Sequence, residues 1–389
     1  MGPFLGTLHG NFEVPLEARV AALTGRAAAF YGPGKPMVIN EYPVPDPEPG
    51  AIVVKTTLAN ICGSDLHQWR GEFDVAKFGR PYPQILGHEM TGRVHALGAG
   101  VSRDTAGNPL QEGDRVIWRY FYPCGSCRPC MRRIYRACPN ARAYLTTSCD
   151  EAPHFYGAFG DYYYVRPGAA IFKVPDELAD ETVAGINCAL AQVVGGMQLA
   201  QLKLGEYVVI QGAGGLGVYA TAVAKEMGAG KVIVIDGVKA RLDLATAFVA
   251  DAVVDFEQLP DADQRVARVL ELTDGWGADV VAELVGHPRV CNEGLRMVGR
   301  AGRYLEIGNI SPGLTYTLDP QWLVGFNRSI LGMLYYEAEH LQQALDLVYR
   351  TREKYPWDRV LSHTFPLAQI NEAFEASDRG QVTRAAITF

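Results

Sequence analysis

No uninterrupted apolar run reaches the ~18 to 20 residues that a membrane-spanning helix requires. The first 25 residues carry Glu13, Glu17 and Arg19 and lack the apolar centre of a secretory signal. A cytoplasmic protein without a membrane partner is therefore expected. Excess cation is missing too: 36 Lys and Arg against 43 Asp and Glu give a net charge of −7 and a pI near 5.7. That argues against nucleic acid as a partner, because binding phosphate backbones needs clustered positive charge. The densest basic patch, Arg128 to Arg136, is interleaved with cysteines and is better explained there. Internal repeats and low-complexity tracts are absent. Cysteine is sparse, eight in 389 residues, which suggests metal ligands rather than a disulfide framework.

With 48% hydrophobic and 20% charged residues the composition is that of an ordinary globular protein, and the length exceeds what one core usually organises, so two domains are expected. Residues 1–26 form an N-terminal extension of mixed character, readable as an arm on a neighbouring subunit or as a loose terminus. From Ala27 to Ala189, short strands such as Met37-Val38-Ile39, Ala51 to Lys55 and Gly113 to Ile117 alternate closely with Pro and Gly, which reads as a small β-rich domain. Between 190 and 332, β-branched runs (Val208 to Gln211, Val232 to Asp236, Val253 to Asp255, Val280 to Glu283, Tyr304 to Gly308) alternate with helical stretches. That pattern predicts an α/β, doubly wound, mostly parallel sheet. Residues 333–389 hold a helix near Glu337 to Arg350, a strand-like Val360 to Phe365, a helix near Ile370 to Ser377 and a final run Ala385 to Phe389.

The second region is organised around Gly212-Ala213-Gly214-Gly215-Leu216-Gly217. Spaced glycines allow a tight turn, let backbone amides approach a pyrophosphate and let the helix pack close to the strand. The helix N-terminus then presents free N–H groups and the positive end of its dipole. Asp236 ends the next apolar run at the distance expected of a ribose-binding acid, where a carboxylate repels a 2′-phosphate and favours NAD over NADP.

Cys124, Cys127, Cys130 and Cys138 are spaced C-x2-C-x2-C-x7-C, able to close a tetrahedral shell around one structural zinc, with Arg128, Arg132, Arg133 and Arg136 available to offset its negative charge. An iron–sulfur cluster is the rival ligand. Upstream, Cys62-Gly63-Ser64-Asp65-Leu66-His67 and Gly87-His88-Glu89, together with Cys188, offer two thiolates and an imidazole for a second, open zinc site of the kind that admits substrate.

From about Ala27 onward the chain resembles the zinc-dependent alcohol dehydrogenases of the medium-chain dehydrogenase/reductase superfamily. The residues that carry the resemblance are Cys62-Gly63-Ser64-Asp65 with His67, Gly87-His88-Glu89, the four-cysteine loop, Cys188, the glycine turn, Asp236 and Thr383-Arg384-Ala385-Ala386-Ile387-Thr388-Phe389. The resemblance implies a GroES-like catalytic domain (27–189, with 333–389 returning to it) joined to a Rossmann domain (190–332). It implies two zinc ions per chain and NAD, and assembly as a homodimer or homotetramer. It implies Cys62, His88 and Cys188 as catalytic zinc ligands, Glu89 as a nearby carboxylate able to reach the metal, and Asp65 as the partner orienting His88. Ser64 would take the alcohol proton and pass it through the nicotinamide ribose to His67 and solvent. Gly212, Gly214, Gly215, Leu216, Gly217, Asp236 and Arg384 would hold the cofactor.

Two departures stand out. Gly63 replaces a basic residue that many relatives use on the pyrophosphate, shifting that task toward the glycine turn and Arg384, and Gln192 stands where a threonine is common near the nicotinamide. The loop Val101 to Gln111 is longer than usual. Trp69, Phe73, Trp118, Tyr120, Phe155 and Tyr156 fall where such enzymes line their substrate cleft, which would suit a bulky or cyclic alcohol. The expected reaction is reversible hydride transfer between NAD and a secondary, cyclic or aromatic alcohol. The alternatives are a polyol or amino-cyclitol dehydrogenase in which Glu89 or Gln192 shares in substrate binding, and a redox-inert NAD-binding protein.

Overall fold

A computed structural model describes residues 23–389, so the reading of the N-terminal extension falls almost wholly outside the described residues. The first described strand, Thr24–Phe30, begins ahead of Ala27, held at Arg26 by a two-pronged pairing with Asp161.

The second half of the chain builds one six-stranded parallel sheet from β1 (Tyr207–Gln211), β2 (Lys231–Asp236), β3 (Ala252–Asp255), β4 (Ala278–Glu283), β5 (Val298–Glu306) and β6 (Ser329–Gly332), in the order β3-β2-β1-β4-β5-β6. Strands β1, β2 and β4 are almost entirely buried, because helices cover both faces of a parallel sheet and leave no side for polar residues. The strand order reverses at β1, and Gln211, Asp236, Glu283 and Glu306 stand at the carboxyl ends of their strands, the edge where such sheets bind ligands. β6 was not legible: it is four residues long, ends in glycine and is only half covered at the sheet edge.

The first half forms a twisted antiparallel sheet centred on Ile52–Asn60, which pairs with Glu89–Leu97, Tyr162–Val165 and the C-terminal strand Ala385–Thr388. The chain's end therefore returns to its beginning. Trp118, Tyr163, Phe155 and Phe159 are fully buried between these strands, each contributing roughly 2 to 3 kcal/mol of apolar burial.

A helical run, Asp180–Leu199, joins the two halves and is 83% buried. It is long and apolar enough by composition to cross a membrane, a correction to the reading by uninterrupted runs, in which Asn187 and Gln192 break the stretch. Its burial marks it as a core helix. At its middle, Ile186–Leu190 widens into a π-helix, and that widened segment carries Cys188 to the cleft.

Candidate active site

Cys62, His88, Glu89 and Cys188 come from a helix start, a strand entry and the π segment, and their ligand atoms all lie within 4.8 Å of one another. Asp65 fixes this arrangement. Fully buried, its carboxylate accepts from the Cys62 amide at 2.9 Å, the Gly87 amide at 3.2 Å and the Tyr144 hydroxyl at 3.4 Å. It also lies 3.3 Å from Nδ1 of His88, which leaves Nε2 as the ligand atom, facing Ser64 Oγ at 3.2 Å. Tyr144 stacks on the imidazole at 5.0 Å and Tyr120 covers it at 4.7 Å.

The charges call for a cation. A bond from Cys188 and the His88 charge hold the Cys62 thiol well below its ordinary range, while the same bond and burial push Cys188 up. Burial opposes charge on His88, yet Asp65 and Cys62 raise it to about 10. Two sulfurs and one imidazole form a three-ligand set suited to zinc with a fourth position open to substrate, and the unpartnered Oε1 of buried Glu89 lies close beside it.

The other oxygen of Glu89 pairs with Arg384, and Asn60 donates to it at 3.4 Å. Arg384 was expected on the cofactor pyrophosphate. Its guanidinium is instead committed to Glu89, although it still borders the glycine turn: a Cβ on Gly215 would lie 1.7 Å from Nη1. A buried guanidinium without a countercharge is costly, and the buried Glu89 carboxylate supplies one.

The turn itself needs its glycines. Gly212 has φ +93°, and a Cβ on Gly217 would sit 1.8 Å from the Gly212 carbonyl oxygen. Helix Gly215–Glu226 starts there with Gly214 as its N-cap, and Leu216 reaches the cavity wall. Asp236 braces the loop, accepting from the Ala213 amide at 2.7 Å and the Val238 amide at 2.8 Å.

Cys124, Cys127, Cys130 and Cys138 also converge within 4.8 Å, with Sγ pairs at 3.6 and 3.7 Å. Sulfurs bound ~2.3 Å from one zinc lie about 3.8 Å apart, so the spacing fits one ion, whereas a multi-iron cluster would spread them. The amides of Ser126 and Cys127 lower Cys124 to about 5, and burial pushes Cys130 up to about 12. Arg136 does not serve these sulfurs as expected. It bonds Glu337 at 3.0 Å, the residue that caps helix Ala338–Arg350.

Between the lobes lies a cavity of about 330 Å³ that reaches Cys62, His88 and Cys188. Of the six aromatics expected in the cleft, Phe73 and Tyr120 line it. Trp118, Phe155 and Tyr156 are in the core and Trp69 packs on Phe374. Tyr144, Tyr335 and Arg80 line it without having been anticipated. Gln192 also lines the cavity, and its Nε2 donates to the Met333 carbonyl at 3.4 Å. Ser64 and His67 both face the cavity but do not touch; His67 Nδ1 pairs with Glu72 and lies 3.4 Å from Ser311 Oγ.

Glu283, fully buried at the end of β4, accepts from the backbone amides of Val285 and Gly286 at 2.7 Å, from the backbone amide of Gly308 at 3.1 Å and from the side-chain Nδ2 of Asn309 at 3.1 Å. It thus ties together two loops that wall the cofactor side of the cavity. Burial pushes its carboxyl up to about 7, opposed by the Gly286 amide. The folded protein then holds this proton where the unfolded chain has lost it, so stability from the group is complete below pH ~4.5 and is lost as pH rises through about 7. The wild type should lose up to about 3 kcal/mol relative to Glu283→Gln between pH 4.5 and 8. Urea unfolding at a series of pH values measures this, and parallel curves for the two proteins would refute it.

The comparisons with known proteins bear on the family and the fold. The zinc-binding dehydrogenase model matches residues 215–350, and the alcohol dehydrogenase GroES-like domain model matches residues 48–176. The 5-exo-hydroxycamphor dehydrogenase of Pseudomonas putida is 32% identical over 349 residues, covering 89% of this chain and 94% of that protein. The L-threonine 3-dehydrogenase of Pyrococcus horikoshii is 32% identical, covering 90% and 94%. An alcohol dehydrogenase of Thermotoga maritima, 28% identical, superposes with a TM-score of 0.88 over 94% of this chain and 100% of its own. Two family models that between them cover most of the chain, and a relative 32% identical over nearly its whole length, lead to one conclusion: the chain belongs to the zinc-dependent alcohol dehydrogenases of the medium-chain dehydrogenase/reductase superfamily.

Proposed function

We propose that this cleft oxidises a secondary, cyclic or aromatic alcohol reversibly to its ketone or aldehyde with NAD, and that Cys62, His88 and Cys188 hold the catalytic zinc. The observation that carries the reading is that the two thiols and the imidazole open onto a cavity whose opposite wall is Leu216, Leu284, Val285 and Ile307, from the dinucleotide-binding sheet. When bound, zinc acts as a Lewis acid on the alcohol oxygen and the nicotinamide takes the hydride. The protein's own groups do the rest. Asp65 orients His88 so that Nε2 faces the cleft. Ser64 Oγ is placed to receive the substrate proton, and His67, backed by Glu72, to hold it toward solvent. Tyr120, Tyr144 and Tyr335 exclude water and stack on a ring.

The relative named for 5-exo-hydroxycamphor suits the same size of substrate, a bulky cyclic secondary alcohol. A polyol would need polar walls, and no Asp or Glu lines this cavity. The exposed sheet edge at β6, Ser329–Gly332, supports assembly as a homodimer or homotetramer by strand pairing. None of the eight cysteines is paired in a disulfide, which favours the cytoplasm.

The test is NADH formation across an alcohol panel run with both cofactors. Wild type should oxidise cyclic and benzylic alcohols with NAD in preference to NADP, and Ser64→Ala should lower kcat about 10²-fold with a small change in KM. An unchanged kcat in Ser64→Ala would remove it from the proton path.

A further inference from the structure

Arg80 is a cation in the cavity wall with no use in the chemistry above. It follows the turn Val75–Phe78, and its amide donates to the Val75 carbonyl at 3.2 Å, so the backbone aims the residue from a fixed base. Among the described residues its guanidinium makes no ion pair and no hydrogen bond, whereas nearby Arg70 is paired with Asp378 and Arg119 donates to the Phe121 carbonyl. It lines the cavity together with Phe73, Leu145 and Tyr335, and its charge reaches the Tyr335 hydroxyl. Tyr335 is itself held flat against Phe121 at 4.2 Å, so this wall is rigid.

Among the described residues, Arg80 is the one guanidinium in the cavity wall, and no carboxylate lines it there. A guanidinium stays charged at every accessible pH, and its fork of donors matches the two oxygens of a carboxylate or phosphate. Held in a partly buried, aromatic wall without a protein partner, it is a charge awaiting a ligand's countercharge.

Resting on the reading of this cleft as an alcohol-oxidising site, we propose that the natural substrate is an alcohol carrying an anionic group, a carboxylate or a phosphate ester, at the end away from the carbinol, and that Arg80 binds that group. The apolar middle of such a molecule lies against Phe73, Tyr144 and Tyr335. The carbinol end then reaches Ser64.

Matched substrates test this in the holoenzyme: benzyl alcohol, 4-methylbenzyl alcohol, 4-(hydroxymethyl)benzoate and 4-(hydroxymethyl)phenyl phosphate, each with wild type, Arg80→Gln and Arg80→Lys. In wild type, kcat/KM for at least one anionic member should exceed that of 4-methylbenzyl alcohol by about 10- to 100-fold, mainly through KM, the usual scale of a hydrogen bond to a charged group. Which anion gains more identifies the source of the charge. In Arg80→Gln the ratio of anionic to neutral substrate should collapse to about 1, and Arg80→Lys should keep part of it. A ratio that persists in Arg80→Gln, or an anion disfavoured by wild type, overturns the proposal. So does a rise confined to the KM for NAD, which would assign Arg80 to the cofactor. Turnover of neutral but not anionic alcohols defeats the proposal alone, whereas turnover of none defeats the alcohol-oxidation reading and this proposal with it.

Discussion

Cys62→Ala and His88→Ala should each lower alcohol-dependent NADH formation by at least about 10³-fold while leaving NAD binding within a few-fold of wild type. A Lewis acid is worth several kcal/mol to the transition state, and each ~1.4 kcal/mol is a decade in rate. Each ligand comes from its own element, and Asp65 holds Cys62 and His88 together, so removing one leaves an incomplete donor set. The glycine turn and Asp236 lie on the other lobe and keep their own hydrogen bonds, which is why cofactor affinity should survive. Metal analysis of the same samples should fall from two zinc ions per chain to one. A variant that retains both ions and full turnover would remove these residues from the metal centre.

Cys130→Ser should act on stability rather than on chemistry. Its sulfur is buried within the four-cysteine cluster, and a structural zinc site carries folding free energy, ~10 to 16 kcal/mol in isolated zinc-finger peptides. In a large domain much of the loop can relax, so a loss of about 3 kcal/mol and a fall in Tm of about 6 to 12 °C are expected by calorimetry. The loop also holds an element 201 residues further along the chain: Arg136 donates to Glu337, which caps helix Ala338–Arg350. Hydrogen exchange should therefore speed up in the first turn of that helix as well as in residues 124–138. An unchanged Tm together with unchanged zinc content would refute the structural role.

Some of the site could be read before any coordinates because its chemistry is local. The turn needs Gly212 and Gly217 within six residues of each other, since a side chain at Gly217 would strike the Gly212 carbonyl. The four-cysteine loop is likewise one short segment, so its spacing alone announces a tetrahedral site. Cys188 is a different case. It counted only in combination with Cys62 and His88, because a lone cysteine in an apolar helix reads as packing, and the π-helical widening that delivers it leaves no mark in the composition.

The aromatics illustrate the limit. Phe155 and Tyr156 are neighbours in sequence and both were expected in the cleft, yet both are buried in the core, while Tyr144 and Tyr335 line the cavity. Residue type gives size and polarity, but not which side of a wall a side chain faces.

The sequence by itself determined the two-lobed α/β plan, the dinucleotide turn, the metal-binding residue types and the reaction family, because each rests on short-range spacing or on hydrophobic period. Only the tertiary structure decided that Arg384 turns to Glu89, 295 residues away, that Arg136 ties the zinc loop to the distant helix Ala338–Arg350, and that Arg80, among the described residues, stands unpaired in an aromatic wall. Charge pairing in a folded interior depends on which groups lose water together, and no spacing rule along the chain carries that information.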